Sequence, residues 1–292
     1  MRRGGVWHAG GSFAWLVLGM SVLVFVLPVQ AAEIRATAGG GSLSPASIMI
    51  DGDDRLAPAA FAHAHGLSPA QVASRFGATG IVRCGGAVGT GQLVGASNVL
   101  VTAAHVLFAP GGTPRGAGEA CTFEIEAGGK RQRVPILTER ATCGSREPYA
   151  APAVRDWAVA PLARSVAGAH PYMLGPVMKV PGPVVLVAAA RTGGAESRSL
   201  QRCSARQVTA RAAGGLREVA LDCDAEGGTS GSALLTDKGG FLGVYVGFRS
   251  AHPGTSGPFS MSHYNFALTA EGPLRQAIID VTNRSQPLTA SR

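Results

Sequence analysis

A serine in a glycine-rich turn is the feature of this 292-residue chain with the clearest chemical meaning. Ser230 lies in the sequence Gly-Gly-Thr-Ser-Gly-Ser-Ala, residues 227–233, just before an apolar run. Glycines around a serine permit a tight turn that exposes the hydroxyl, and they let backbone N–H groups point together at a developing oxyanion. Many β-proteins contain Gly/Ser-rich turns without a catalytic role, so the motif alone leaves both interpretations open.

A histidine and an aspartate stand upstream in contexts that fit the same chemistry. His105 ends the apolar run Val-Leu-Val-Thr-Ala-Ala-His, and Asp156 comes immediately before an uncharged strand-like run. Taken singly, a strand-end histidine is usually a packing residue, and a strand-edge aspartate is usually a turn residue. Taken together, the two residues provide an imidazole that can accept the proton of Ser230 and a carboxylate that can orient the imidazole. The sequence therefore predicts acyl-transfer chemistry.

The segments that must position these residues have the pattern of short β-strands. Gly and Pro account for 41 and 18 residues and interrupt short apolar runs, whereas charged residues make up only 15% of the chain. This composition favours an all-β fold over a disordered chain, a coiled coil or collagen. Two sets of about six strands, within 47–163 and 164–283, predict two packed six-stranded antiparallel β-barrels. The first barrel carries His105 and Asp156, and the second carries Ser230.

Two helices are expected outside the strands. Residues 68–76 predict a short helix with Ser68 as N-cap and Pro69 at the first helical position. Residues 273–281 predict a C-terminal helix with one apolar face, followed by a tail over 284–292.

The first residues of the chain have the pattern of a signal peptide over 1–31. Arg2 and Arg3 precede an apolar run that is short for a membrane span, and small residues follow it. An anchor that stays uncleaved is the alternative. We expect cleavage, a secreted or periplasmic location and no stable membrane association of the mature protein. The Gly-rich residues 32–46 predict a flexible leader.

Cysteine use agrees with export. None of the five cysteines forms a C-x-x-C pair, which argues against zinc ribbons and thioredoxin-like redox motifs. Disulfides are the default in an exported chain. Cys203 and Cys223 bracket two strand-like runs and are predicted to pair. Cys84 with Cys121 is the second predicted pair, which leaves Cys143 over.

Several other function classes are not supported by the residues. The net charge of +8 is spread along the chain without a long basic run or interleaved aromatic residues, so we expect no nucleic-acid partner. His63 and His65 lack acidic or cysteine partners at ligand spacing, so no metal is expected. The glycines of residues 86–91 match neither a dinucleotide-binding motif nor a P-loop, and we expect no cofactor.

The three motifs together resemble the chymotrypsin-like (trypsin-like) serine peptidases. The matching pieces are Thr-Ala-Ala-His ending at His105, Asp-Trp-Ala-Val beginning at Asp156, and Gly-Thr-Ser-Gly-Ser-Ala around Ser230. The Thr-Ser-Gly-Ser form and the upstream Asp-Gly-Asp-Asp-Arg, residues 51–55, look more like the bacterial glutamyl-endopeptidase-type branch. The resemblance covers roughly residues 47–283. It implies a bacterial serine endopeptidase that acts through an acyl-enzyme intermediate, with its site in the cleft between two barrels. We expect a monomer that acts on protein or peptide substrates.

The resemblance also implies roles for residues around the nucleophile. The backbone N–H groups of Gly228 and Ser230 would form the oxyanion hole. Thr229 stands where the animal trypsin-like enzymes carry an aspartate, so activation by a buried new N-terminus pairing with that aspartate is not available to this chain.

The substrate pocket is expected along residues 243–248, which resemble the strand that forms the pocket wall. The resemblance implies three substrate-binding residues on this strand, Tyr245, Val246 and Phe248. Glutamate-specific members place a histidine where Tyr245 falls, which argues against a glutamate preference. Asp224 lies near the pocket floor by its sequence offset and would favour Arg or Lys at P1, although a plain loop acid is an equal alternative.

An α/β-hydrolase and a non-catalytic protein with the peptidase fold are the two alternatives to a serine peptidase. An α/β-hydrolase places its nucleophile before the acid and the histidine, which is the reverse of the order found here. A binding or scaffold protein could keep the peptidase fold without activity. Such proteins usually lose at least one member of the triad, whereas this chain keeps His105, Asp156 and Ser230.

Overall fold

The computed structural model describes residues 47–116, 118, 120–189 and 197–285. These residues belong to the second of two units into which the chain divides, Gly41–Arg292. The predicted signal segment, the leader and most of the predicted tail lie outside the described residues. In the described part, no helix has the length and apolar character needed to cross a membrane.

Short β-strands dominate the described part of the chain. In chain order they are β1 (Ile48–Ile50), β2 (Thr79–Cys84), β3 (Ala87–Leu93), β4 (Val99–Thr102), β5 (Thr122–Ala127), β6 (Lys130–Pro135), β7 (Thr142–Cys143), β8 (Ala158–Pro161), β9 (Gly182–Ala188), β10 (Ser199–Arg211), β11 (Arg217–Leu221), β12 (Ala233–Leu235), β13 (Phe241–Ser250), β14 (Thr255–Gly257) and β15 (His263–Thr269). The helices are α1 (Pro58–Ala64), α2 (Pro69–Phe76), α3 (Ala104–Leu107) and α4 (Gly272–Ser285). Short 3-10 turns cover Thr138–Arg140, Ala153–Arg155 and Ala213–Gly215.

Seven of these strands form an antiparallel sheet in the first half of the chain. Their order is β6-β5-β2-β3-β4-β8-β7. Cys84 pairs with Ala87 across a two-residue connection, and Gly85 and Gly86 both have positive φ, 52° and 80°. A two-residue hairpin that follows the twist of its strands needs this backbone, which glycine adopts without strain.

Six strands of the second half close into a barrel in the order β10-β11-β15-β13-β12-β9. Closure pairs both edges of every strand. The predicted all-β fold with two antiparallel β-structures and a C-terminal helix is confirmed. The first β-structure has seven strands rather than six. A further two-stranded sheet, β1 with β14, pairs the start of the described chain with the second half in parallel.

The two β-structures share one apolar core. It includes Leu100 and Phe123 from the first sheet together with Phe241 and Val244 from the barrel, all fully buried. Helix α4 adds its apolar face to this core and packs on β4 and β8. The C-terminal helix therefore joins the second half of the chain to the sheet of the first.

The helix predicted at Ser68 is confirmed, and Ser68 and Gln71 form a reciprocal capping box at its N-terminus. The Ser68 Oγ accepts the N–H of Gln71 at 3.1 Å, and the Gln71 side chain accepts the N–H of Ser68 at 2.8 Å. Helix α1 was not predicted. Its Phe61 packs edge-on against Phe76 of α2, with ring centroids 5.7 Å apart.

Both predicted disulfides are present. Cys84 at the end of β2 bonds to Cys121 before β5, and Cys203 on β10 bonds to Cys223 just after β11. Cys143 is a free cysteine. Each bond joins neighbouring antiparallel strands, so the cross-links follow the strand pairing of the fold.

Candidate active site

His105 lies on α3, directly after strand β4, and faces Asp156. Its Nδ1 is 2.7 Å from Asp156 Oδ2, and its backbone N–H donates to Asp156 Oδ1 at 2.9 Å. Asp156 is 7% exposed and stands just before β8, which is the neighbour of β4 in the sheet. One buried carboxylate therefore fixes both the ring and the main chain of the histidine.

This contact determines which nitrogen of His105 can act on another group. An acidic partner at Nδ1 favours the tautomer with its proton on that atom, so Nε2 keeps its lone pair. The side chain of His105 is 22% exposed, against 10% for Asp156. The ring is therefore held from inside the protein and open to solvent on the other side.

Ser230 lies on the turn between the barrel segment at Cys223 and strand β12. Gly228 and Gly231 flank it with φ of 98° and 88°, a backbone that glycine adopts without strain. The Ser230 carbonyl accepts the N–H of Thr90 at 2.8 Å, and its hydroxyl donates to the Val246 carbonyl at 3.3 Å.

Strand β3 brings the histidine and serine segments together. A Cβ on Gly89 would lie 2.8 Å from Val106, the neighbour of His105, and 3.1 Å from the Ser230 carbonyl oxygen. A Cβ on Gly231 would overlap the carbonyl oxygen of Thr90. The close approach of the two halves at this point therefore requires glycine at both positions.

Two backbone donors of the serine turn have no acceptor among the described residues. Within the described part of the chain, neither the Gly228 N–H nor the Ser230 N–H donates a hydrogen bond. The N–H of Thr229, between them, donates to the Glu226 carbonyl at 3.0 Å. The turn thus keeps two donors available to an external anion.

The predicted substrate strand corresponds to β13, and its residues differ in what they offer. The Val246 carbonyl faces the Ser230 hydroxyl, and the Phe248 side chain is partly exposed. Tyr245 is 3% exposed and donates its hydroxyl to Asn265 Oδ1 at 2.7 Å. Burial raises the pKa of Tyr245. The Tyr245 hydroxyl is therefore engaged inside the barrel, while the Val246 carbonyl contacts the Ser230 hydroxyl.

Asp224 is buried and both of its carboxylate oxygens are engaged. The N–H groups of Ile50 and Asp54 each donate to it at 2.7 Å. Burial raises its pKa to about 6, against the effect of these hydrogen bonds. The contacts favour the loop-acid alternative for Asp224 over binding of a basic substrate side chain.

Two residues beside His105 were missed by the sequence analysis. The Tyr149 ring lies edge-on to the His105 ring with centroids 6.3 Å apart, and it is 50% exposed. Arg115 donates from Nε to the His105 carbonyl at 3.0 Å and from Nη2 to the Tyr149 hydroxyl at 2.6 Å. Both residues come from loops without a motif, so proximity in the fold is their only signal.

One group of potential metal ligands occurs among the described residues, Cys203 with Asp222 and Cys223. The two sulfur atoms are joined in a disulfide, so neither is a thiolate ligand. Asp222 accepts the N–H of Ser204 at 2.6 Å and an Arg206 N–H at 3.0 Å. The disulfide and the contacts of Asp222 explain why these three residues lie together without a metal ion.

A polar concavity of about 440 Å³ lies on the first sheet, and its lining does not include His105, Asp156 or Ser230. Arg83, Arg131 and Arg133 surround the buried Glu124 there. Burial would raise the pKa of Glu124, but the arginines outweigh it and lower the pKa. The lining is therefore an ion-pair cluster, and neither His105 nor Ser230 belongs to it.

Comparison with known proteins gives one family and one fold. The model of the trypsin-like peptidase domain matches residues 89–244, more than half of the chain, and the match includes His105, Asp156 and Ser230. No curated protein sequence matches the chain significantly.

Three solved structures illustrate the likeness in fold. A Glu endopeptidase in complex with MPD has a TM-score of 0.60 at 16% identity, covering 81% of this chain and 100% of its own. Neuropsin, a serine protease of mouse brain, has a TM-score of 0.51 at 12% identity, covering 72% and 95%. The thermostable serine protease AL20 of an extremophilic microorganism has a TM-score of 0.51 at 12% identity, covering 72% and 98%. At these identities the likeness is one of fold.

Proposed function

The chain belongs to the trypsin-like peptidase domain family and is a serine endopeptidase, and we propose that it works through a His105–Asp156–Ser230 triad and an acyl-enzyme intermediate. The observation that carries this proposal is the double contact of His105 with Asp156, at 2.7 and 2.9 Å. Ser230 lies on a glycine turn, and its carbonyl packs on β3, the strand that also approaches Val106 next to His105. A buried aspartate with both oxygens on one histidine prepares that ring for proton transfer.

Acylation begins when the Ser230 hydroxyl turns from the Val246 carbonyl to Nε2 of His105. Its Oγ then attacks the substrate carbonyl carbon while His105 takes the proton, and Asp156 stabilises the imidazolium that forms. The imidazolium next gives this proton to the departing amine nitrogen as the C–N bond breaks. An ester of Ser230 remains, and the first peptide product leaves.

The free N–H groups of Gly228 and Ser230 account for stabilisation of the tetrahedral intermediate. They are two donors on one turn without an acceptor among the described residues, and the substrate oxygen gains negative charge as Oγ attacks. A donor placed in this way typically contributes about 10²–10³-fold to kcat.

Deacylation repeats the proton transfers with water as the nucleophile. His105 removes a proton from water, the oxygen attacks the ester carbon, and the proton returns to Oγ of Ser230 as the ester bond breaks. Water thus supplies a hydroxyl to the carboxyl product and a proton to the amine product, so the two steps sum to hydrolysis.

The substrate class is a protein or peptide chain. Once Ser230 Oγ has turned away, the Val246 carbonyl on β13 can accept a backbone N–H of an extended peptide, as in strand addition. Phe248 is partly exposed on the same strand and is available to a substrate side chain. Two disulfides fit an extracellular or periplasmic protease, and we include removal of residues 1–31 in the proposal.

A fluorophosphonate probe on the purified chain tests this function. The parent protein should be labelled, and Ser230→Ala should lose both labelling and about 10⁴–10⁶-fold in kcat, because triad members act as a unit. Ser262→Ala removes an exposed serine and is the matched control that should label normally. Labelling that persists in Ser230→Ala removes Ser230 from the role. A folded parent that does not label favours the non-catalytic scaffold.

A further inference from the structure

Thr90 on β3 contacts both residues that carry the proposed oxyanion donors. Its backbone N–H donates to the Ser230 carbonyl at 2.8 Å, and its hydroxyl donates to the Gly228 carbonyl at 2.9 Å. Thr90 is fully buried, so bulk water does not compete for its hydroxyl. One threonine of the first sheet therefore binds the serine turn on both sides of Thr229.

The direction of the Thr90 hydroxyl is fixed by a second partner. The N–H of Ala189, just after β9, donates to the Thr90 Oγ1 at 3.2 Å. An amide N–H can only donate and a carbonyl can only accept, so the single proton of the hydroxyl is directed to the Gly228 carbonyl. The hydroxyl thus joins β3 to two segments of the second half of the chain.

The Gly228 carbonyl controls the geometry of the turn because it shares one planar peptide unit with the Thr229 N–H. Within the described part of the chain, the Thr90 hydroxyl is the only donor to this carbonyl. The Thr229 N–H, at the other end of the unit, donates to the Glu226 carbonyl at 3.0 Å. Gly228 has a φ of 98°, and a glycine restricts the rotation of its backbone less than any other residue. The hydroxyl therefore holds the part of the turn whose own backbone resists rotation least.

We propose that Thr90 is a positioning residue for the oxyanion hole, acting through its hydroxyl on Gly228 and through its N–H on Ser230. The inference rests on the proposed function and names the contact that orients its oxyanion donors. Such donors stabilise a transition state because they need no reorientation while the charge develops. Without the hydroxyl, the peptide unit after Gly228 can rotate, and the Gly228 N–H leaves the oxyanion position.

The hydroxyl of Thr90 can be removed with little change in side-chain shape. Thr90→Val keeps the branched side chain but leaves the Gly228 carbonyl and the Ala189 N–H without this partner. The donors contact the oxyanion in the transition state, so Thr90→Val should lower kcat about 10–50-fold with KM changed by less than about threefold. Thr90→Ser keeps the hydroxyl, and its kcat should remain within about threefold of the parent.

A second variant covers a valine variant that does not fold. Thr90→Ala removes the hydroxyl without placing a methyl group against the Gly228 carbonyl. It should lose kcat by about the same factor as Thr90→Val, again with little change in KM.

Thr79 provides the matched control. It is a fully buried threonine on the neighbouring strand β2, and its hydroxyl lies 2.8 Å from the Tyr172 hydroxyl. Thr79→Val removes a comparable buried hydrogen bond that is not made to the serine turn. Its denaturation midpoint should fall about as far as that of Thr90→Val, while kcat remains within about twofold of the parent.

Amide hydrogen exchange tests the turn without any activity. In the Ser230→Ala background, Thr90→Val should speed exchange at the Thr229 N–H at least about tenfold relative to Thr79→Val, because this N–H belongs to the peptide unit that the hydroxyl holds. Thr90→Ser should exchange at the rate of its Ser230→Ala parent.

The outcomes separate this inference from the proposed function. A folded Thr90→Val with parent-like kcat and parent-like exchange overturns the inference even if the fluorophosphonate labels Ser230. An equal loss of kcat in Thr90→Ser, or in Thr79→Val at an equal loss of stability, also overturns it. A parent that the fluorophosphonate does not label counts against the proposed function, and exchange at Thr229 still decides whether Thr90 orients the turn.

Discussion

The half of the site that carries His105 and the half that carries Ser230 are built in different ways. His105 and Asp156 meet side chain to side chain, and the two short segments that carry them adjoin the neighbouring strands β4 and β8. Ser230 lies on a turn whose geometry is mostly main chain. Its glycines adopt the positive φ that the turn needs, and β3 and the segment of residues 48–55 hold the turn and the residues before it through hydrogen bonds and an ion pair.

This difference predicts how each half responds to substitution. In the histidine half, a substitution acts through the direct contact between Asp156 and His105. It should therefore alter activity with little effect on the rest of the fold. In the serine half, the backbone depends on partners that are distant in sequence, so stability and activity should change together. The following predictions test this distinction, from the largest expected effect to the smallest.

Asp156→Asn should lower kcat about 10⁴-fold, because an amide at this position no longer favours the His105 tautomer with its lone pair at Nε2. The isostere keeps an oxygen for the His105 backbone N–H, so the melting temperature should change little. Kinetics together with calorimetry measure both effects. Asp222→Asn is the control, since Asp222 also accepts a backbone N–H, from Ser204, but lies outside the triad. A large loss of stability in Asp156→Asn would contradict the local character of this half.

Cys203→Ser should destabilise the protein by roughly 3 kcal/mol, since the disulfide closes a loop of 20 residues. It should also lower turnover, because Cys223 lies next to Asp224 in the loop that residues 48–55 hold. Urea denaturation in the Ser230→Ala background avoids self-digestion, and kcat is measured on the active chain. Cys143→Ser, at the free cysteine, should change neither quantity. Lost stability with unchanged turnover would show that the geometry of the serine turn does not depend on this disulfide of the barrel.

Asp224 should make stability depend on pH in a defined direction. Its folded pKa is raised to about 6, so between about pH 4 and 6 the folded state binds more protons than the unfolded state. The contribution of this group is fully present below its unfolded pKa and is lost as pH rises through about 6. Between pH 7 and pH 4, the parent should gain about 2–3 kcal/mol relative to Asp224→Asn.

Urea denaturation of both chains at pH 4 and pH 7, again in the Ser230→Ala background, measures this difference. Acids shared by both chains, such as Glu124 and Glu271, cancel in the comparison. A gap that is constant with pH would show that Asp224 does not titrate in this interval.

Arg115→Ala should reduce kcat/KM about 5–30-fold, as expected for the loss of one or two hydrogen bonds of about 1 kcal/mol each. Its guanidinium holds both the His105 carbonyl and the exposed Tyr149 ring, so substrates that contact this side of the histidine should be affected most. A peptide-library profile of the parent, Arg115→Ala and Tyr149→Phe measures this. Arg146→Ala, which removes a guanidinium stacked on Phe108, is the control. A uniform loss across the library would place the effect on His105 alone.

The sequence predicted the strands, and it singled out the residues of the proposed triad, because these signals are local. Short apolar runs between glycines led to strand positions such as Val99–Thr102 within a few residues. The cap at Ser68 and the apolar face of α4 needed only neighbours three or four positions away. The sequence did not predict helix α1. Residues 58–64 show a buried helix face only once Phe61 is packed against Phe76 of α2 in the folded chain.

By itself, the sequence determined the peptidase family and led to the proposed chemistry: a serine in a glycine-rich turn, a histidine at a strand end and an aspartate before a strand, in the order of a trypsin-like peptidase. Only the tertiary structure decided what supports them. Ile50 and Asp54, which donate to Asp224, and Arg55, which pairs with Glu226, lie 170 to 174 residues away from them, and Arg115 reaches Tyr149 across 34 residues. Such contacts leave no periodic pattern in the chain, because strand pairing and barrel closure bring the residues together after each segment has its own local structure.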